Sequence, residues 1–311
     1  MRAVVFLLAG TLSGAQIGPR ALWQPGMQFM QEVHARCDRG SSYPTFGDCF
    51  VAHMTLTGAP PEAVAFAKMT GNQGFLRDFR AAGRVSVAYA VYPFRANENQ
   101  VWLLVNGSPP MVDVDDLQQL PQDALKADPA YAAVAQKFPD ASLWPGDRSG
   151  TGGPVVVAFG DGGQQFVVEY RVRNLCHACA VLGYAFYGFR FHRRGDFEGP
   201  EYLGFTPGNE LTVPAAPLAV KAGEQFTVSL PSNRTTGYRW IMAGEPARDV
   251  VRLVREEYKA PGRAAAGAGG EERWTFQAVG PGSAKWRMLY ARPWEKPARP
   301  GKELALAVRV K

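Results

Sequence analysis

Apolar and polar positions alternate with a period of two along most of this chain, and helical spacing is confined to its first half. Pro60 and Pro61 open a helix through Ala63, Ala65, Phe66 and Ala67, with Glu62 in the first turn, where a carboxylate suits the helix dipole. A second short helix is expected over Gln73–Ala82, ending at Gly83, and a third over Pro129–Lys137. Strands are expected over Arg84–Tyr92, Gln100–Val105 and Met111–Val114, with Asn106-Gly107 as the turn between the last two. Val155–Phe159 and Gln164–Val172 flank the turn Gly160–Gly163 and read as a hairpin. In the next run, Ala180–His192, the residues Tyr184, Phe186, Gly188, Phe189 and Phe191 suit a half-buried strand.

A Pro- and Gly-rich stretch, Phe205–Ala219, then introduces a purely β pattern. Strands are expected near Leu211–Val220 and over Gln225–Leu230, Tyr238–Met242, Val250–Tyr258, Glu272–Ala278, Ala284–Ala291 and Glu303–Val310. Seven short strands in a hundred residues match the size and spacing of an immunoglobulin-like sandwich. The fold class is therefore an α+β N-terminal domain followed by an all-β immunoglobulin-like sandwich. The expected division is 1–15 targeting segment, 16–205 α+β domain of unassigned role, 206–219 linker and first strand, and 211–311 β domain. Trp240, Trp274 and Phe276 lie at strand positions expected to face a core.

Composition adds three constraints. The chain has 311 residues, 46% hydrophobic and 20% charged, which excludes collagen, a wholly disordered chain and a short disulfide scaffold. No run of 18 apolar residues is present, so no membrane-spanning helix is expected. Arg2, the apolar run Ala3–Ala9 and the small residues Ser13-Gly14-Ala15 have the form of a secretory signal cut after Ala15. Export to a bacterial periplasm or medium is the expectation. The net charge of +6 is uneven: residues 212–311 carry 17 Lys+Arg against 9 Asp+Glu. The basic residues are scattered through strands and form no compact run, so nucleic acid is not the expected partner.

The four cysteines are Cys37, Cys49, Cys176 and Cys179. An even count in an exported chain favours disulfides, with Cys37–Cys49 the simplest local pairing. Cys176-His177-Ala178-Cys179 has CxxC spacing, open to a structural bridge, a redox dithiol or half of a metal site. Its place between two strand-like runs favours the bridge, since redox pairs sit at helix N-termini. One adjacent histidine does not complete a tetrahedral metal site. His34, His53, His177 and His192 make no zinc motif, and neither a nucleophile elbow nor a P-loop is present. No catalytic residue, metal or cofactor is expected.

Three loops of the β domain stand out together: Asn233-Arg234-Thr235-Thr236-Gly237-Tyr238 with Trp240 beyond it, Gly267-Ala268-Gly269-Gly270, and Tyr290-Ala291-Arg292-Pro293-Trp294-Glu295. In order and spacing they resemble the binding loops of the chagasin family of cysteine-protease inhibitors, whose patterns are NPTTGY-x-W, GxGG and RPW or RPF. A Gly-rich turn alone says little; the three together, within residues 211–311, are specific.

The resemblance implies a reversible, noncovalent inhibitor of papain-like cysteine proteases. The domain presents the loops side by side as a wedge. Asn233, Arg234, Thr235, Thr236 and Gly237 would lie across the catalytic Cys–His pair. Gly267, Gly269 and Gly270 would flank it on one side, and Arg292, Pro293 and Trp294 on the other. The residue types suit a binding wedge, because Gly237 permits a tight turn, Pro293 fixes its loop before binding, and Trp294 is a rigid anchor. Arg234 departs from the family proline, a change expected to free the loop and to place a cation at its tip. It also makes Asn233-Arg234-Thr235 a glycosylation sequon in form, read here as coincidence. Two rival readings are a thiol-redox protein using Cys176 and Cys179, and a binding or adhesion module without inhibitory action.

Overall fold

The computed structural model describes residues 16–37, 42–96, 99–146, 153–208, 212–213, 218–260, 269–295 and 301–311. The expected targeting segment, Met1–Ala15, therefore lies outside the described residues. The chain forms two compact units, divided between Phe79 and Arg80.

The first unit is helical. It comprises α1 (Met27–Cys37), α2 (Phe46–Leu56), α3 (Pro61–Met69) and all but the last residue of a strand, β1 (Phe75–Arg80). Thr45 caps α2 by accepting the Asp48 N–H, and Pro61 starts α3 where its missing N–H costs nothing. Phe29, Val33, Phe50, Met54, Ala63, Phe66 and Leu76 are buried. A disulfide joins Cys37 at the end of α1 to Cys49 in α2, with Cα atoms 5.5 Å apart.

The helix expected over Gln73–Ala82 is replaced by β1. Gly71 and Asn72, at φ +68° and +63°, turn the chain sharply out of α3. Leu76 then forms a parallel bridge to Leu22 and accepts the Trp23 N–H at 3.0 Å. These tertiary partners override a weak local helix preference.

The second unit is mainly β. A meander, β2 (Ser86–Val91), β3 (Gln100–Val105) and β4 (Met111–Asp113), is followed by two short helices, α4 (Gln122–Lys126) and α5 (Pro129–Lys137). Asp128 caps α5 through the Ala130 and Tyr131 N–H groups. Then come β5 (Ala141–Pro145), β6 (Val155–Phe159), β7 (Gln164–Asn174), β8 (Val181–Phe191) and β9 (Phe197–Pro207). The strand β8 is more buried than alternation implies. Ala185, Tyr187 and Phe189 enter one core cluster with β2, β3 and the α4–α5 region, while Phe186 on the opposite face is also buried.

The remaining strands are β10 (Thr212–Val213), β11 (Leu218–Val220), β12 (Gln225–Ser232), β13 (Arg239–Ala243), β14 (Val251–Lys259), β15 (Gly270–Ala278), β16 (Gly282–Ala291) and β17 (Lys302–Val310). They form an immunoglobulin-like β fold of two sheets. In one, β10 and β11 lie parallel to β17, which continues antiparallel through β16 to β13. In the other, β14, β15 and β12 are antiparallel neighbours. One core joins them: Phe226, Val228, Leu230, Trp274 and Phe276 from the second sheet meet Trp240, Trp286, Met288, Leu306 and Val308 from the first.

The second sheet continues beyond β12, which pairs antiparallel with β6, matching Phe226 to Phe159 and Ser229 to Val156. The resulting sheet runs β14-β15-β12-β6-β7-β8-β9, with β5 also paired to β7. Among the described residues no helix is long and apolar enough to cross a membrane.

Candidate functional site

The end of β12, the start of β15 and the end of β16 lie at one end of the β fold. Ser232 is opposite Gly270, and Arg239, just past the first loop, is opposite Ala291. This register gathers the described parts of the three sequence-selected loops. Gly267 lies outside the described residues, as does Ala268.

The first loop is one turn of 3-10 helix, Arg234–Thr236, held by its own side chains. Asn233 Oδ1 accepts the Thr235 N–H at 3.2 Å and the Thr235 hydroxyl at 2.6 Å. The Thr236 hydroxyl donates to the Asn233 carbonyl at 2.7 Å. Gly237 closes the turn at φ +80°, a left-handed conformation that glycine adopts without steric cost. Arg234, Thr235 and Thr236 remain exposed.

The third loop packs on the first. Arg292 donates from Nε to the Thr236 carbonyl at 3.4 Å, pairs with Glu295 at 3.1 Å, and stacks over the Tyr238 ring at 4.7 Å. A Cβ placed on Gly237 would lie 2.6 Å from Trp294 Cη2, so the indole rests directly against this glycine. Trp294 is nevertheless 66% exposed, an unusual placement for a large aromatic ring. Deeper down, the Tyr290 hydroxyl accepts the Asn233 N–H at 2.8 Å. Of the second loop, Gly270 approaches β14 so closely that a Cβ would lie 2.5 Å from the Tyr258 hydroxyl.

Glu272, which belongs to none of the three loop motifs, organises the base of the site. Its side chain has 0% exposure. It accepts the Ser232 hydroxyl at 2.7 Å and the Trp240 N–H at 3.2 Å, and pairs with Arg234 Nε at 3.4 Å. A signal for it exists in the sequence: Glu272 shares strand parity with Trp274 and Phe276, which places a carboxylate on the core-facing side. The Arg234 guanidinium also lies 4.2 Å over the Tyr258 ring. The cation expected at the loop tip is thus engaged with the body of the domain. It helps hold the turn where the family proline would restrict φ.

Trp240, Trp274 and Phe276 are buried, whereas Tyr238 is half-buried. Cys176 and Cys179 are bonded to each other in the β7–β8 turn, with Cα atoms 5.1 Å apart. The histidines are dispersed: His53 pairs with Glu32, His192 with Asp196, and His177 packs edge-on against Trp144. Among the described residues no group of three or more His, Cys, Asp or Glu side chains is gathered to hold a metal ion.

Such a site offers exposed hydroxyls, a rigid aromatic ring and preformed turns for binding a protein surface. Residues 219–308 match the family model described as the chagasin family of peptidase inhibitors. Chagasin of Trypanosoma cruzi is 34% identical over 86 residues, covering 27% of this chain and 78% of chagasin. Through this C-terminal region the chain belongs to the chagasin family. Similar solved structures include the cysteine protease inhibitor EhICP2 from Entamoeba histolytica, with 23% identity, TM-score 0.28, and coverage of 33% of this chain and 88% of that one. Another is PbICP-C in complex with falcipain-2, with 17% identity, TM-score 0.28, and coverage of 33% and 91%.

Proposed function

We propose that this chain is an exported, reversible and noncovalent inhibitor of papain-like cysteine proteases, acting in a periplasm or outside the cell. Its β domain acts as a sandwich that presents three loops to the protease cleft. Asn233–Gly237 lies across the catalytic pair, with Gly267–Gly270 on one side and Arg292–Trp294 on the other. The observation carrying this reading is the locked pair of loops: Trp294 against Gly237, and Arg292 on the Thr236 carbonyl, within a family-matched domain. Turns fixed before contact lose little conformational entropy on binding. Inhibition then needs no chemistry from the inhibitor; occupancy of the cleft suffices.

The test is titration of the full chain against papain. Nanomolar to micromolar inhibition that is reversed by dilution supports the reading. Thr236→Ala or Trp294→Ala should weaken it tenfold or more if these side chains are anchors. Full papain activity at tens of micromolar inhibitor would overturn it. A redox role for Cys176 and Cys179 is less favoured, because the pair sits in a strand-to-strand turn without a helix N-terminus to stabilise a thiolate.

A further inference from the structure

The continuous sheet places a second surface beside the loops. Ser229 of β12 is level with Val156 of β6, and Val156 is level with Phe166 of β7. From that level β12 runs three residues to its end at Ser232, whereas β7 runs eight, to Asn174. At about 3.4 Å per residue, β7 therefore reaches roughly 17 Å farther in the direction of the loops. Its β5 partner lies on the same side of β7 as β6. It pairs with Tyr170–Asn174, where β6 pairs with Gln164–Val167. So β5 continues the line of β6 beyond the end of β12, starting level with the point where the Asn233–Gly237 loop begins. Among the described residues, nothing pairs with the other edge of β5.

The top of this ledge is built for contact. The β7–β8 turn is closed by the Cys176–Cys179 disulfide, and the Arg173 guanidinium donates to the Cys179 carbonyl. Leu175 sits at φ +72°, a left-handed conformation that leucine rarely adopts, and the residue is 67% exposed. In the same turn the exposed His177 packs edge-on against Trp144 of β5, which is partly exposed. An apolar residue held outward in strained backbone, in the same turn as one member of an aromatic pair, is a costly arrangement for bare solvent.

We propose that the edge of β5 and the β7–β8 turn, through Trp144, Leu175 and His177, form an accessory contact surface for the protease seated on the loops. This inference rests on the inhibitory reading above. The occupant follows from the continuity of the sheet: a globular partner engaging Asn233–Gly237 sits beside a ledge that rises past that loop. The ledge lies on the opposite side of β12 from β15 and β14, so it widens the contact rather than duplicating it.

The experiment uses the full chain and papain that has been activated and then freed of thiol, so the disulfides persist. Inhibition constants and dissociation rates are measured for the wild type, Leu175→Ser, Trp144→Ala, and Trp294→Ala as the loop control. Thermal unfolding verifies that each variant is folded. A fourth variant, His177→Ala, keeps the test open if Trp144→Ala is unstable. The expected result is a fivefold or greater rise in inhibition constant for the ledge variants, carried by faster dissociation. Ledge variants that inhibit within twofold of wild type, or more tightly, overturn the inference and leave the inhibitory reading intact. A wild-type chain that does not inhibit overturns both.

Discussion

Replacing Gly237 by alanine probes whether the two loops work as one surface. Gly237 is at φ +80°, where a non-glycine residue costs about 1–2 kcal/mol. The new Cβ would also lie 2.6 Å from Cη2 and 2.9 Å from Cζ2 of Trp294, so the indole has to leave its resting place. Gly244 supplies the control: it sits at φ +85° with nothing within 4 Å of a Cβ. Both variants should lose about 1–2 kcal/mol of stability, roughly 2–8 °C in Tm for a unit of this size. Inhibition separates them. Displacing an aromatic anchor costs about 2 kcal/mol, near 30-fold in affinity. Gly237→Ala should therefore raise the inhibition constant against papain by tenfold or more, and Gly244→Ala by no more than about twofold. Equal constants for the two variants would refute the idea that Trp294 acts from its seat on Gly237.

Three further outcomes are expected. Glu272→Ala leaves the Trp240 N–H and the Ser232 hydroxyl without their acceptor, at about 1–3 kcal/mol for each. Urea unfolding should show a loss of about 2–6 kcal/mol, with Glu272→Gln losing less than half of that; a loss below about 1 kcal/mol would contradict the role given to this carboxylate. Burial holds the Asp113 carboxyl above its usual range, against the opposing hydrogen bond from the Asp115 N–H. A carboxyl raised in the folded state costs stability as pH climbs from the unfolded pKa through the folded one. Asp113→Asn should accordingly stabilise the protein at pH 7 and leave it nearly unchanged at pH 3, and an equal gain at both pH values would count against this account. Cys37 and Cys49 are buried, whereas Cys176 and Cys179 lie in a partly exposed turn. Under limiting dithiothreitol, mass-spectrometric thiol labelling should find Cys176 and Cys179 first, and the reverse order would contradict the exposure.

The β fold was legible because its signal is local. Period-two runs such as Gln225–Ser232 and Lys302–Val310 place one face in the core whatever surrounds them. The same holds for Val155–Phe159 and Gln164–Asn174, joined by the Asp161-Gly162 turn. The strand β1 was misread because strand pairing overrode a weak helical spacing, and part of that pairing, the bridge of Leu76 to Leu22 fifty-four residues earlier, has no local signal. The union of β12 with β6 was invisible for the same reason: an edge residue and a central one can carry identical side chains. Among the candidate site residues, Gly237, Arg292 and Trp294 stood out as motif positions. Glu272 did not, because it acts beneath the surface, holding the first loop from below; Tyr290 was read as part of the third loop, and its hold on the Asn233 N–H was not legible. Arg234 was read as a free cation at the loop tip; its engagement with Glu272 and Tyr258 depends on strands that come twenty-four to thirty-eight residues later.

The central claim is met most directly by titrating the full chain against active papain and following hydrolysis of a small peptide substrate. The account predicts reversible, substrate-competitive inhibition at or below micromolar concentration, with the chain uncleaved afterwards and the inhibition lost in parallel with Trp294. Undiminished hydrolysis at tens of micromolar, or inhibition that persists unchanged in Trp294→Ala and Gly237→Ala, would contradict it.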